Sequence, residues 1–280
     1  MRRKNNNKIE NKGNVFRGFT TRISNYILSS LVYPIRVGLR FCRRMVLRTI
    51  RVVFVFIFRL WIKEVNGFEN LPLNGPAILV SNHRSYFDFF IIGCLLKRYI
   101  VFIANNKIRE TFFVGWFTKT NYVIYIEPDN PGIAFFRDII RHLELGRFII
   151  IYPEGTRSRS GKMLSPKDGF VKLAMKTKIP IIPVAIKGAY DILPPSKHLP
   201  RFKRCSVTIG HRINISPDEQ LFKDIFIRSK DRGVSNFLDR EGINEIAFRI
   251  MDKIRILAEE RWDEVVLVKE KTFKNSSRSN

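Results

Sequence analysis

The order of apolar and polar positions divides the chain into two parts. From residue 77 onwards, short apolar runs alternate with longer stretches in which apolar residues recur at helical spacing. The apolar runs predict strands at 77–81, 100–104, 122–126, 148–152, 181–186 and 206–209. The stretches between them predict helices at 88–97, 109–119, 132–145 and 168–178. This alternation predicts an α/β fold in which helices cover a mixed, partly parallel sheet.

Residues 15–61 follow another pattern, in which apolar clusters are interrupted by arginines. The longest unbroken apolar run, 52–58, has seven residues, whereas a helix that spans a membrane needs about 20. The pattern instead fits amphipathic helices that lie in a membrane interface with their arginines among lipid headgroups. A spanning or re-entrant segment, and an arm that binds a partner or nucleic acid, are the alternatives. The sequence leaves open whether residues 45–62 lie on the bilayer or enter it.

Two further helices are predicted towards the C-terminus. Ser216 as an N-cap and Pro217 at the first helical position indicate the start of one. Apolar residues at helical spacing predict the other over 243–268, after a charged connection at 229–241. The predicted organisation has three parts, a basic amphipathic membrane-associating region, a folded domain and a disordered tail, at 1–64, 65–268 and 269–280.

The formal net charge of +25 and the pI of about 10.4 indicate a polyanionic partner, either nucleic acid or an anionic membrane surface. Residues 1–62 carry 14 of the 50 Lys and Arg residues but only one acidic residue, Glu10. This excess charge coincides with the amphipathic pattern, and the aromatic residues further on lie mostly in apolar runs. A membrane surface is therefore the expected partner, and nucleic acid is not. Three widely spaced cysteines without a CxxC predict no disulfide and a reducing, cytosol-facing location.

His83 and Asp88 are the first candidates for chemistry. His83 follows the strand predicted at 77–81, and Asp88 begins the helix predicted at 88–97. Open α/β sheets bind their ligands on such turns, outside the carboxyl ends of the strands. A carboxylate bonded to one imidazole nitrogen fixes the tautomer and leaves the other nitrogen basic. The pair therefore predicts a general base; the alternative is a histidine that caps the helix and an aspartate in its first turn.

A second group of candidates follows the strand predicted at 148–152. Arg157 can bind a phosphate through two parallel hydrogen bonds, and Gly155 lets the backbone turn tightly. A solvated basic loop is the alternative. Lys107, directly after the strand at 100–104, adds positive charge to the same edge of the predicted sheet. The phosphate-binding candidates are Glu154, Gly155, Thr156, Arg157 and Lys107. No metal site is predicted, because the histidines have no ligand-like neighbours at useful spacing.

Three motifs together resemble the glycerolipid acyltransferase family, most closely the bacterial 1-acylglycerol-3-phosphate acyltransferases. The resemblance covers about residues 65–215. It implies an α/β acyltransferase domain in which His83, held by Asp88, deprotonates an acceptor hydroxyl that attacks an acyl thioester. It also implies that the loop 154–157 binds the acceptor phosphate and that the N-terminal region anchors the protein to a membrane. The motifs are Asn82-His83-x-x-x-x-Asp88, Pro153-Glu154-Gly155-Thr156-Arg157 and Ile179-Pro180-Ile181-Ile182-Pro183-Val184.

A fourth motif of the family is only partly present. Lys107 and the pair Gly115-Trp116 match it, but Ile126-Glu127-Pro128 stands where the family has an arginine that contacts the acceptor. The resemblance therefore implies the chemistry more firmly than the acceptor. A lysophosphatidylglycerol or an aminolipid is the alternative acceptor.

The expected function is transfer of an acyl group from acyl-CoA or acyl carrier protein to a lysophospholipid, chiefly 1-acylglycerol-3-phosphate, giving phosphatidic acid. No cofactor is expected beyond this thioester co-substrate. The expected location is the cytoplasmic face of the inner membrane, as a peripheral or monotopic protein. An acyl-enzyme on Ser85 is disfavoured because no GxSxG motif surrounds it. A basic nucleic-acid-binding protein and an inactive membrane scaffold are the alternatives from other classes.

Overall fold

The computed structural model describes residues 37, 38, 42, 45, 46, 49, 52, 53, 55–96, 98–105, 122–126, 132–197, 199–231 and 238–259. The chain divides into two compact units, residues 1–56 and 57–280. The described residues of the first unit are all helical. Among the helices that the structure describes, none combines the length and apolar character needed to cross a bilayer. Lys107, the helix predicted at 109–119, the motif residues 115, 116 and 128, and the tail 269–280 lie outside the described residues.

The second unit is built on a seven-stranded sheet. Its strand order is β1-β7-β6-β2-β5-β3-β4, and every neighbouring pair is parallel except β6 with β7. The predicted mixed, partly parallel α/β sheet is confirmed. The strands are β1 (Ile62–Asn66), β2 (Ala77–Ser81), β3 (Ile100–Asn105), β4 (Tyr122–Ile126), β5 (Phe148–Ile151), β6 (Ile181–Lys187) and β7 (Cys205–Ile209).

Helices follow most of these strands, and the three helices predicted within the described residues at 88–97, 132–145 and 168–178 are confirmed. Each begins within one residue of its predicted start and ends within two of its predicted end. The helices are α1 (Phe87–Leu95), α2 (Ile133–Glu144), α3 (Gly169–Thr177), α4 (Ala189–Ile192), α5 (Lys223–Asp231) and α6 (Arg240–Leu257).

The core lies on both sides of the central strands. All five residues of β2 are buried, as are six of the seven residues of β6. Strands covered on both faces need apolar side chains at every position, which explains the unbroken apolar runs in the sequence. Buried residues of α6, such as Ile246 and Ile250, belong to the same core.

The strand β1 was not predicted. It pairs in parallel with β7 at the edge of the sheet, and its sequence, IKEVN, includes the exposed residues Lys63 and Glu64. Its two charged residues and its position next to the arginine-rich stretch resemble the pattern of the membrane-associating region, so it was assigned to that region. The predicted boundary between residues 64 and 65 therefore falls inside a strand of the sheet.

The helix predicted to start at Pro217 begins later. Ser216 accepts a hydrogen bond from the N–H of Glu219 (3.2 Å), which makes a turn, and α5 starts only at Lys223. A proline after a serine is as suitable for a β-turn as for a helix start, so the signal was ambiguous. The connection between α5 and α6 is shorter than predicted, because α5 ends at Asp231 and α6 begins at Arg240. The helix predicted over 243–268 begins at Arg240, because Asp239 caps it by accepting the N–H of Gly242 (2.8 Å).

Candidate active site

The end of β2 is fixed by the Asn82 side chain, which takes the place of a further backbone pair between β2 and β6. The Asn82 amide donates to the carbonyl oxygen of Ile186 and accepts the N–H of the same residue, both at 2.8 Å. The buried Asn82 side chain thus imitates one more pair of the β2–β6 ladder while its own backbone turns away. This contact sets where the strand ends and where the turn to α1 starts.

The His83 and Asp88 side chains meet within that turn. His83 Nδ1 lies 3.0 Å from Asp88 Oδ2, so the predicted contact is confirmed. The same oxygen accepts the backbone N–H groups of Arg84 (2.7 Å) and Ser85 (2.9 Å). Because Asp88 is fully buried, these three donors stabilise the carboxylate and fix its position.

This pairing determines which imidazole nitrogen is the base. A carboxylate at Nδ1 holds a proton there and leaves the lone pair on Nε2. The His83 side chain is 19% exposed and lines a cavity, so the imidazole is accessible to a ligand in that cavity. The arrangement can take a proton from a hydroxyl group and hold the resulting imidazolium against Asp88.

The imidazole is also held by Tyr152, a contact that the sequence did not predict. The rings of His83 and Tyr152 are stacked, with centroids 4.2 Å apart and an interplanar angle of 23°. The Tyr152 ring lines the cavity, and its hydroxyl group is buried. Burial, and to a lesser degree the charge of Asp88, raises the pKa of Tyr152 well above its usual value. Tyr152 therefore acts here as a neutral support for the ring.

Glu154 does not face the cavity, which corrects its predicted role as a phosphate contact. Its carboxylate is buried and accepts the backbone N–H groups of His83 (2.8 Å) and Leu164 (2.9 Å). Burial raises the pKa of Glu154 to about 7, although these two donors lower it. The His83 carbonyl oxygen is held as well, because it accepts the N–H of Ser158 (3.0 Å). The loop after β5 therefore clamps the backbone of His83.

The remaining loop residues, Gly155, Thr156 and Arg157, line the cavity. Gly155 has φ +68°, a conformation that favours glycine. The Arg157 guanidinium lies 3.4 Å from the ring centroid of Tyr86, and burial lowers the pKa of Arg157. Its Nη1 is buried and has no hydrogen-bond acceptor among the described residues. A buried donor of this kind is costly unless a ligand oxygen accepts from it.

A second cation at this place, Lys167, was missed by the sequence reasoning. Its backbone N–H donates to the Pro153 carbonyl oxygen (2.9 Å), and its side chain covers Gly155. A Cβ atom added to Gly155 would lie 3.1 Å from Lys167 Cε and 3.3 Å from Nζ. The only sequence signal was a lysine between the basic loop and the start of α3. Lys107, the other predicted cation, lies outside the described residues.

The cavity has a volume of about 450 Å³ and is lined by polar and apolar side chains. His83, Arg157 and Lys167 are among the polar residues of this lining. Its size falls in the usual range for small-molecule sites, about 300–1,000 Å³. The apolar lining comes from α1, α2, α3 and the strands β3 to β5, and includes Phe89, Phe90, Ile103, Ile126, Phe135, Phe136, Ile139, Ile151, Phe170 and Leu173.

Ser85 has a structural role. Its hydroxyl donates to the Leu193 carbonyl oxygen (2.7 Å) and accepts the N–H of Phe87 (3.0 Å), at the start of α1. The side chain is fully buried. A serine engaged in this way does not present its oxygen to a ligand, so Ser85 is not placed to form an acyl-enzyme.

Known proteins resemble this chain in sequence and in fold. The Acyltransferase family model matches residues 63–187. The chloroplastic 1-acyl-sn-glycerol-3-phosphate acyltransferase LPAT1 of Arabidopsis thaliana is 30% identical over 151 residues, which are 50% of this chain and 42% of the relative. The 1-acyl-sn-glycerol-3-phosphate acyltransferase of Bacillus subtilis is 28% identical over 126 residues, 45% of this chain and 62% of the relative. The chain thus spans about half the length of the curated relatives it matches.

A solved structure supports the same relationship. The crystal structure of the 1-acyl-sn-glycerophosphate (LPA) acyltransferase PlsC from Thermotoga maritima superimposes with a TM-score of 0.57 at 25% sequence identity. The match covers 79% of this chain and 82% of that one. The motifs at 82–88 and 153–157 lie within the region matched by the family model and form one site in the structure. These findings support the resemblance inferred from the sequence: the chain is similar to glycerolipid acyltransferases in sequence and in fold.

Proposed function

We propose that the protein transfers an acyl group from a thioester to the free hydroxyl of 1-acylglycerol-3-phosphate, which yields phosphatidic acid. One observation carries the proposal: His83, paired with Asp88, lines a cavity that is also lined by Arg157, Lys167 and many apolar side chains. A lysophospholipid with one phosphate, one free hydroxyl and one hydrocarbon chain matches these three sets of side chains.

The reaction needs one base and one fixed acceptor. His83 Nε2 takes the hydroxyl proton while the hydroxyl oxygen attacks the thioester carbonyl carbon. The tetrahedral intermediate collapses with cleavage of the C–S bond, and the imidazolium returns the proton to the leaving thiolate. Asp88 stabilises the imidazolium between these steps. Proton transfer by a positioned residue contributes roughly 10²- to 10⁴-fold in rate.

The cationic side chains orient the acceptor. Arg157 offers a planar set of donors, one of them buried and without an acceptor in the described protein, which a phosphate oxygen satisfies. Lys167 adds a second positive charge above Gly155. Holding the phosphate here presents the glycerol hydroxyl to His83 and lowers the entropy cost of the reaction. The apolar side chains of the lining accommodate a hydrocarbon chain.

The donor is proposed to be acyl-CoA or acyl carrier protein, and no other cofactor takes part. We also propose that the protein works at the cytoplasmic face of the inner membrane. This placement is supported by the basic amphipathic sequence of residues 1–62, with 14 Lys and Arg residues against one acidic residue. The lipid acceptor itself resides in a bilayer, so an enzyme held at the surface meets it directly.

Purified protein incubated with labelled acyl-CoA or acyl carrier protein and a panel of lysolipids tests the proposal. We expect labelled phosphatidic acid from 1-acylglycerol-3-phosphate and much slower labelling of acceptors without an exposed phosphate monoester. Preferential labelling of a lysophosphatidylglycerol or an aminolipid would keep the chemistry but overturn the acceptor. Absence of transfer to every lysolipid with either donor would overturn the activity.

A further inference from the structure

The connection between α4 and β7 displays apolar side chains to solvent. Leu199 is 81% exposed and Phe202 is 73% exposed. The same segment contains four basic residues and no acidic residue between Leu193 and Cys205. All four basic side chains within the described part of this segment are exposed: Lys197, Arg201, Lys203 and Arg204.

Hydrogen bonds and a ring contact hold this segment in its exposed form. The N–H of Arg201 donates to the Ile192 carbonyl oxygen (2.7 Å), and the Trp61 indole N–H donates to the Arg201 carbonyl oxygen (3.1 Å). The rings of Trp61 and Phe202 lie 5.8 Å apart. Phe202 is therefore presented on a supported backbone, next to a tryptophan that is itself partly exposed.

An apolar path connects this surface to the cavity. The Trp61 ring contacts Phe87 (5.5 Å) in the first turn of α1, next to Asp88. Phe58 contacts both Phe87 (5.1 Å) and Phe90 (5.0 Å), and Phe90 lines the cavity. The start of the segment also contacts the turn 83–88, because the Leu193 carbonyl oxygen accepts a hydrogen bond from the Ser85 hydroxyl.

We propose that residues 196, 197 and 199–204, together with Trp61, form a second membrane contact that adds to the basic N-terminal region and inserts Leu199 and Phe202 among the lipids of an anionic bilayer. The basic side chains then lie at the level of the headgroups, and the tryptophan lies at the interface. This inference rests on the proposed function, since it gives the surface the task of orienting the cavity towards its lipid acceptor. Exposed apolar side chains in a segment whose charged residues are all basic fit a fluid anionic surface. The ring contacts through Trp61 connect that surface to Phe90, which lines the cavity.

The experiment compares the full-length protein with a Leu199→Ser/Phe202→Ser variant. Ile227→Ser/Ile256→Ser is the matched control, because these residues of α5 and α6 are 52% and 55% exposed. We expect the loop variant to bind phosphatidylcholine vesicles that contain phosphatidylglycerol at least about tenfold more weakly than wild type, and the control to bind unchanged. An Arg201→Gln/Lys203→Gln variant should lose about fivefold per charge on these vesicles and little on phosphatidylcholine alone.

Activity provides the second measurement. The loop variant should lose activity towards a long-chain acceptor embedded in anionic vesicles and keep wild-type activity towards a short-chain, monomeric acceptor. Vesicle binding and bilayer activity within twofold of wild type would overturn the inference, as would an equal loss in the control variant. If the wild-type protein acylates neither acceptor, the proposed function fails instead, and vesicle binding by the variants still tests the surface.

Discussion

The two polar regions of the cavity, the turn 83–88 and the loop 155–157 with Lys167, differ in where their hydrogen bonds go. In the turn, Asp88 Oδ2 receives three donors from the protein, and the backbone of His83 is held by Glu154 and Ser158. In the loop, a buried nitrogen of Arg157 has no acceptor among the described residues, and Gly155 and Thr156 are exposed.

The difference matches what each region is proposed to do. A base that transfers a proton must be held within a few tenths of an ångström, so its bonds are made inside the protein. A site for an anion must keep its donors available, so its bonds are completed by the ligand. Glu154 links the two regions, because the carboxylate that holds His83 belongs to the loop that carries Arg157. Changes in the two regions should therefore affect different kinetic constants.

The largest effect is expected from His83→Ala. Removing the base should lower kcat by roughly 10²- to 10⁴-fold, while vesicle binding stays unchanged because the basic N-terminal region is intact. Steady-state acyl transfer and vesicle flotation measure the two effects. His211→Ala, at an exposed histidine outside the cavity, is the control and should leave both unchanged. Near-wild-type turnover by the His83 variant would contradict the mechanism.

Glu154→Gln should change how stability depends on pH. The native pKa of about 7 lies above the usual 4.5, so the folded protein retains a proton that the unfolded chain loses between these values. The free energy of unfolding should therefore fall as the pH rises from about 4.5 to 7, by about 3 kcal/mol at 1.36 kcal/mol per pKa unit.

Denaturant titrations at several pH values test this dependence. The glutamine variant should lack the decrease, whereas Glu69→Gln, at an exposed glutamate, should show the wild-type decrease. Parallel pH profiles for wild type and the Glu154 variant would mean that folding does not raise the pKa of this carboxyl group. The same variant should lower kcat more than it raises KM, because it loosens the backbone of His83.

Arg157→Ala should act mainly on KM. Losing charged hydrogen bonds worth about 1.5–3 kcal/mol should raise KM for 1-acylglycerol-3-phosphate by roughly 10- to 100-fold. An acceptor without phosphate should be affected little. Arg157→Lys should restore part of the loss, and Arg159→Ala, at an exposed neighbour, is the control. An equal loss for both acceptors would show that Arg157 shapes the loop and does not bind phosphate.

Much of the sheet could be predicted from the sequence, because its central strands are buried on both faces. Unbroken apolar runs marked β2, β5 and β6 to within one residue. The edge strand β1 carries Lys63 and Glu64 on exposed positions, so no such run was present. Which strands are neighbours was also not predictable, because that depends on contacts far apart in the sequence.

The candidate site was predictable where its residues lie close together in a short sequence motif. His83 and Asp88 lie on one turn, so residue type and spacing were enough to predict their contact, and Arg157 lies on another turn that lines the same cavity. The roles of Glu154, Tyr152 and Lys167 depend on contacts with His83, Leu164 and Gly155 across the fold. From the sequence, a glutamate in a basic loop is interpreted as part of the binding surface. The structure shows instead that the Glu154 oxygens accept backbone N–H groups.

The smallest effect is expected from Lys167→Met, which keeps the length of the side chain and removes its charge. Its exposed ammonium group is screened by solvent, so KM for the phosphate-bearing acceptor should rise only about fivefold, with kcat unchanged. Lys176→Met, at an exposed lysine of α3, is the control. The loss should shrink as salt is added, which a purely steric role would not produce. If the variant instead lowers kcat for all acceptors, Lys167 supports the turn of Gly155 and belongs with Glu154 as a positioning residue.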